Sequence, residues 1–210
     1  MHDFHTHTLH SDGELLPSEL IQRAVKKGYE TIALTDHVDF SNIESVLKSL
    51  KRVESDELKV LRGVELTHVP PQKINKLVSE AKKLGADIIV VHGETPVEPV
   101  AAGTNKVAVS NNNVNILAHP GLITVEEVEI AKENCVFLEI TSRAGHSLTN
   151  GHVARVANAA NIIFSTDTHH PQDLVTEDDA KKVLRGAGLS EKDATDILKT
   201  NPQKLLGSLR

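Results

Sequence analysis

The sequence predicts a parallel α/β fold of seven strand–helix units, closed as a barrel. Three observations predict it. Short runs rich in Ile and Val recur along the 210 residues without the alternation of a half-exposed strand, the pattern of strands buried on both faces. Longer stretches with apolar residues at helical spacing separate these runs. A histidine or a carboxylate stands at or just beyond the end of run after run. In a parallel α/β protein those ends share one face, where ligands bind.

Taken in order, residues 2–5 form a short first run that leads into His5 and His7. Leu16, Leu20, Ile21, Ala24 and Val25 mark a helix that stops at Gly28. The second run, 31–35, leads into Asp36 and His37, and Ser41 with Glu44 has the spacing of a capping box. The third, 59–64, ends at Glu65. Ile74, Leu77, Val78, Ala81 and Leu84 predict a helix over 73–84 with Gly85 as its C-terminal cap. The fourth run, 87–91, ends at His92, and the Pro- and Gly-rich segment 93–103 that follows reads as a functional loop. Glu94, Thr95, Thr104 and Asn105 are candidates to shape a pocket there. The fifth run, 114–118, ends at His119, and Thr124 with Glu127 forms a second capping box. The sixth, 136–140, contains Glu139, to which no role is assigned. The seventh, 161–165, runs into Asp167 and His169. The tail, 177–207, reads as two or three short helices broken by Gly186, Gly188 and Pro202. One domain over residues 1–210 is expected, since this length suits a single core.

Composition excludes several classes. Four Phe, one Tyr and no Trp, with a formal charge of −6, argue against a long nucleic-acid partner, which needs stacking platforms and a basic groove. One Cys excludes an internal disulfide and a Cys-rich zinc module. No apolar run approaches a membrane span, and the first residues lack the pattern of a signal peptide, so a cytoplasmic location is expected. What stands out is 12 His, more than twice the aromatic count.

A single histidine at a strand end is ordinarily a hydrogen-bonded core or surface residue, and His2, His10 and His68 are read that way. The set as a whole points to metal, because packing alone does not demand such residues at all the ends. His5 and His7, two apart on an extended strand, project to one side and can reach one ion. Imidazole and carboxylate suit Zn, Mn or Fe. Asp3 and Asp36 are placed to orient ligand histidines, and Glu65 is the candidate for a bridging carboxylate. Cys135 reads as a small buried residue, and the acidic runs at 126–129 and 177–179 as solvated helix starts.

The motifs HTHTLHSDG from His5, TDH at 35–37, GVE at 63–65, His92, AHP at 118–120 and STDTH at 165–169 together resemble the polymerase and histidinol phosphatase (PHP) family. The resemblance runs from residue 3 to about residue 170 with every motif in order. It implies a distorted seven-stranded (β/α)7, TIM-like barrel with three divalent ions at the C-terminal face of the strands. It implies His5, His7, Glu65 and Asp167 as ligands of a first ion, and Glu65, His92 and His119 of a second. Asp12, His37 and His169 are implied for a third. The activity implied is phosphoester hydrolysis by a metal-bridging hydroxide, with Glu65, Asp167 and His169 in the catalytic group. Three divalent ions would offset the formal charge of −6 and leave the pocket positive for an anionic substrate.

Arg143, three residues past the sixth run, belongs on the same face and suits a bidentate phosphate contact. His146, Asn150 and His152 in the following loop and helix start, and His170 beside His169, complete the candidate substrate-binding set. A small phosphorylated substrate, a phosphomonoester resembling histidinol phosphate, is favoured over a phosphodiester or a nucleic-acid end. A metal-bound module without catalysis and an amide hydrolase are the further alternatives.

Overall fold

A computed structural model describes residues 1–157 and 159–209. Among them are nine strands, all paired in parallel, where the sequence predicts seven. A sheet of three has the order β1 (His2–Thr6), β2 (Thr31–Leu34), β4 (Lys59–Arg62). A sheet of six has the order β3 (His37–Val38), β5 (Val64–Leu66), β6 (Ile89–His92), β7 (Ile116–Ala118), β8 (Phe137–Thr141), β9 (Ile162–Ser165). The two extra strands arise because the second and third runs each break once. The chain passes from β2 to β3 and from β4 to β5, and so changes sheet.

Backbone hydrogen bonds carry across these breaks. The Gly63 N–H donates to the Leu34 carbonyl at 2.9 Å, and the Glu65 N–H to the Asp36 carbonyl at 3.1 Å. At the other edge, the Asp167 N–H donates to the His5 carbonyl at 3.0 Å and the His7 N–H to the Thr168 carbonyl at 2.8 Å. The donors and acceptors an open sheet would leave unpaired are thus engaged beside the histidines.

Two apolar clusters sandwich the strands. The smaller one, with Phe4, Ala33, Leu61, Val90, Ile116, Phe137 and Ile163, draws on both sheets and fills the space between them. The larger one lies between the strands and the surrounding helices. Each fully buried Ile, Leu or Val contributes roughly 1.5–3 kcal/mol of transfer free energy. The helix predicted over 73–84 spans Pro71–Leu84, with Gly85 in the left-handed conformation at its C-terminal cap. The Thr124–Glu127 capping box forms at the start of Val125–Glu133. The box expected at Ser41 does not form. The helix there is Ile43–Leu50 with Asn42 at its N-cap, and Ser41 instead bonds the Asp39 carboxylate. The tail holds helices Glu177–Gly186, Glu191–Thr195 and Asn201–Ser208, the last started by Pro202. Cys135, expected to be buried, is exposed on a turn with φ of 57°. No helix among the described residues is long and apolar enough to cross a membrane.

Candidate functional site

Alternation along the strands aims much of the site inward. Ala33 belongs to the cluster between the sheets, and the same parity continues through Thr35 to His37. Leu61 leads likewise through Gly63 to Glu65, and Val90 leads to His92. Four ligand candidates rest on backbone irregularities instead. The pairing of β1 shifts register between Asp3 and Thr6, which re-aims His5 and His7 relative to Phe4. His119 follows β7 with φ of 27° and turns inward although Ala118 already faces the inner cluster. Asp167 adopts φ of 53° as well. Non-glycine residues held in this region cost on the order of 1–3 kcal/mol each, and such strain gathers at functional sites.

At the centre lies the Glu65 carboxylate, with no exposure to solvent. His37 Nδ1 is 2.8 Å from it, His5 Nε2 3.2 Å, and His7 Nε2 and His119 Nε2 each 3.6 Å. Neither of its oxygens has a hydrogen bond of normal geometry. A buried carboxylate without hydrogen bonds is strongly disfavoured unless a cation meets it. The ring nitrogens around it are at the separations of ligands sharing ions, with His5 Nε2 and His7 Nε2 only 3.0 Å apart. The donor set therefore fits metal ions.

Ligand-bearing atoms fall into close groups, each with all atoms within 4.8 Å. His5, His7 and Asp167 form one; His5, Glu65 and His119 a second; His7, Asp12, His37 and His169 a third; His92, His119 and His146 a fourth. All nine residues expected as ligands thus converge. Asp12 is the exposed member, its Oδ1 lying 3.2 Å from His169 Nε2 and 3.5 Å from His37 Nε2.

The electrostatics are those of a crowded, dry cluster. Burial disfavours a charged His5, yet Glu65, Glu139 and Asp167 outweigh it and hold His5 well above the usual histidine range. His7 is driven well below that range by burial and by the repulsion of His37, His169 and His5. Burial lowers His119 to about 4. Glu65 is held well below the carboxylate range, since His5 and His37 overcome its burial, whereas burial drives Asp167 upward. A metal ion needs neutral imidazoles and ionised carboxylates, and His7, His119 and Glu65 are already in those forms.

Supporting contacts assign roles that sequence reasoning left open. Glu139, fully buried, accepts from His5 Nδ1 at 2.8 Å and from the His119 N–H at 3.0 Å, and so orients two ligand candidates at once. Asp3 accepts from the backbone N–H of His5 and of Thr166, tying β1 to the end of β9. Asp36 binds no histidine; it accepts from Thr8 and Ser11 and fixes the loop that carries Asp12.

The expected substrate-binding residues divide. Arg143 lies on the site, with Nε 3.9 Å from Asp167 and Nη1 3.2 Å from Asp173. His146 is buried against the ligand cluster, its ring 4.0 Å from that of His119. Asn150 clamps the backbone of Thr141 from both sides of its amide, so its polar atoms are engaged. His152 bonds the Ile123 carbonyl at 2.7 Å, and His170 pairs with Glu14 at 2.9 Å; neither belongs to a ligand group. Sequence reasoning missed Glu98, which with His68 and His92 makes a further group of ligand atoms. Glu98 lies on the loop singled out for its Pro and Gly content, but no periodicity points from there to His92.

Comparisons with known proteins bear on the family and the fold. The PHP domain family matches residues 3–143. An uncharacterized protein of Methanocaldococcus jannaschii is 49% identical over 213 residues, covering 97% of each chain. The ribonuclease P protein component 3 of Methanosarcina barkeri is 26% identical over 227 residues, covering 100% of this chain and 90% of that one. The fold is similar to that of a histidinol phosphate phosphatase from Lactococcus lactis, solved with zinc, L-histidinol and phosphate. The TM-score is 0.54 at 17% identity, over 90% of this chain and 94% of that one.

Proposed function

The chain belongs to the PHP domain family, and from that premise we propose that it is a metal-dependent phosphoesterase acting on a small phosphorylated substrate. In this reading residues 1–210 form one domain, and the two sheets act together as a distorted barrel of seven runs around one centre. The observation that carries it is the solvent-free Glu65 carboxylate, ringed by imidazoles and without hydrogen bonds. Three ions would be held as follows: His5, His7, Glu65 and Asp167 for the first; Glu65, His92 and His119 for the second; Asp12, His37 and His169 for the third. Zn, Mn and Fe all suit such ligands. When bound, the ions supply Lewis acidity toward a phosphoryl oxygen and activation of water near neutral pH.

The chain's own residues do the rest. Glu65 would be shared by the first and second ions, since its two oxygens face imidazole nitrogens of His5 and His119. Asp167 would serve the first ion and His169 the third, with His169 Nδ1 3.3 Å from Asp167 Oδ1. Glu139 holds the His5 ring, and Asp3 holds the backbone of β1 at His5. Arg143 is half-buried beside Asp167, positioned to take two oxygens of a phosphate through its planar guanidinium. Asp173 aligns that guanidinium and also accepts from the His169 and His170 N–H groups.

One observation favours a second reading, phosphodiester cleavage on nucleotides or RNA ends: the similarity to a ribonuclease P component along the whole chain. The test compares metal-loaded protein on p-nitrophenyl phosphate, histidinol phosphate and nucleoside 3′,5′-bisphosphates with a short single-stranded oligonucleotide. Turnover of the monoesters is expected. Activity confined to the oligonucleotide would overturn the first reading in favour of the second.

A further inference from the structure

Glu98 is held in an unusual way. It sits at the far reach of the 93–103 loop, and three imidazole nitrogens converge on its carboxylate. His92 Nε2 is 3.1 Å away, His146 Nε2 3.1 Å and His68 Nε2 3.2 Å. These histidines follow three different strands: His68 after β5, His92 at the end of β6 and His146 after β8. The loop itself is closed at its base. Glu94 Oε1 accepts from the Gly103 and Asn105 N–H groups at 2.9 Å each, and Asn105 Nδ2 donates to the Pro120 carbonyl at 2.7 Å. Gly121, at φ of 63°, lets this base settle on the turn after His119, because a Cβ there would collide with the Glu94 carbonyl. Glu98 is therefore carried back over the site on a loop anchored beside it.

The proton arrangement singles out His92. Its Nδ1 lies 3.2 Å from the Gly93 carbonyl, which can only accept, so that nitrogen carries the hydrogen. Nε2 is then the atom left to face the Glu98 carboxylate, and this contact, unlike those of His68 and His146, does not have hydrogen-bond geometry. A ring nitrogen and a carboxylate oxygen at 3.1 Å, with His68 Nε2 within reach of both, are spaced as ligand atoms that can share a cation. A backbone carbonyl accepting from the far nitrogen is also how ligand histidines are commonly oriented. Separations of this size are edges of a coordination polyhedron with radii of about 2.0–2.2 Å. The other two contacts have hydrogen-bond geometry and suit N–H donors that steady the carboxylate. His68 does so from a left-handed backbone, φ of 52°, which a non-glycine residue seldom adopts.

We propose that Glu98 is an additional ligand of the ion held by His92, delivered by the 93–103 loop, with His68 and His146 positioning its carboxylate. The loop is then a strap over the site, anchored at its base by Glu94 and Asn105 and, with metal bound, at its tip through Glu98. The inference rests on the reading that His92 and His119 hold metal.

The experiment uses the full chain loaded with Zn(II) alone. It follows zinc release to a chelator and amide hydrogen exchange in the 93–103 loop, for the wild type, Glu98→Gln and His119→Asn, with circular dichroism to verify that each variant is folded. For Glu98→Gln, one zinc should leave at least ~10-fold faster, and the zinc-dependent protection of the loop should vanish, while the remaining zinc is retained. If His119→Asn loses zinc but Glu98→Gln matches the wild type in release and in loop protection, the strap is overturned and the metal centre stands. If the wild type holds no zinc that His119→Asn lacks, the metal-centre reading itself fails, and the strap with it.

Discussion

Two carboxylates in this molecule are each surrounded by histidines, and they are built in opposite ways. Glu65 is delivered by a strand, is wholly buried, and has neighbours from β1, β3 and the chain just after β7. Glu98 is delivered by a loop and its side chain is 37% exposed. The strand-borne group is preorganised by the sheets and cannot leave without unfolding them. The loop-borne group depends on a few hydrogen bonds at the base of its loop. Central charge chemistry is thus placed on the rigid frame, and adjustable chemistry on the connection, as the difference in local stability between frame and loop allows.

The largest expected effect tests the rigid side. Glu65→Gln should lower phosphoesterase activity by about 10³-fold and strip the bridged ions, read from turnover and metal content together. Unchanged metal content would remove Glu65 from its bridging place. Next comes Glu139→Gln, which touches no proposed ion but holds His5 and the His119 backbone. Metal affinity should fall by about 10–100-fold, measured by chelator competition. An effect confined to thermal stability would make Glu139 a packing residue only.

Arg143→Ala should raise KM by roughly tenfold with metal content unchanged, and Arg143→Lys should recover part of the loss. A drop in metal content instead would show that Arg143 serves the ion cluster through Asp167 rather than the substrate. The smallest effect is a pH dependence. Burial lowers His119 to about 4 in the folded chain, below the unfolded histidine value of 6.5. Between those values the unfolded chain binds the proton and the native ring does not, so His119 makes stability fall as pH drops from 6.5 toward 4. In chelator-treated protein, His119→Asn should flatten that fall in melting temperature; an identical slope would contradict the buried neutral ring.

Much of this was legible in advance because two periodicities and one composition carry it. The apolar runs located the strands, and the first or second residue after each run located His37, Glu65, His92, His119 and Asp167. The breaks at the second and third runs were not legible, since the chain changes sheet near Asp36 and Gly63 while its backbone hydrogen bonds continue, and no change of residue pattern marks the switch. The failed capping box at Ser41 is a local competition: Asp39 captures the Ser41 hydroxyl before a helix N-terminus can. Cys135 reads as core by residue type, yet its place on a left-handed turn turns it to solvent.

By itself the sequence determined which strands end in imidazole or carboxylate, and that the family is PHP. Those follow from side-chain types and from the fixed period of a strand. Only the tertiary structure decided which of the remaining polar residues join them. Glu139 turned out to hold the His5 ring and the His119 backbone, Asn150 to clamp a strand end, and Glu98 to reach His68, His92 and His146 from a loop. The physical reason is that a strand's repeat fixes where its side chains point, whereas a loop's reach depends on backbone torsions and on hydrogen bonds to residues far away in the chain.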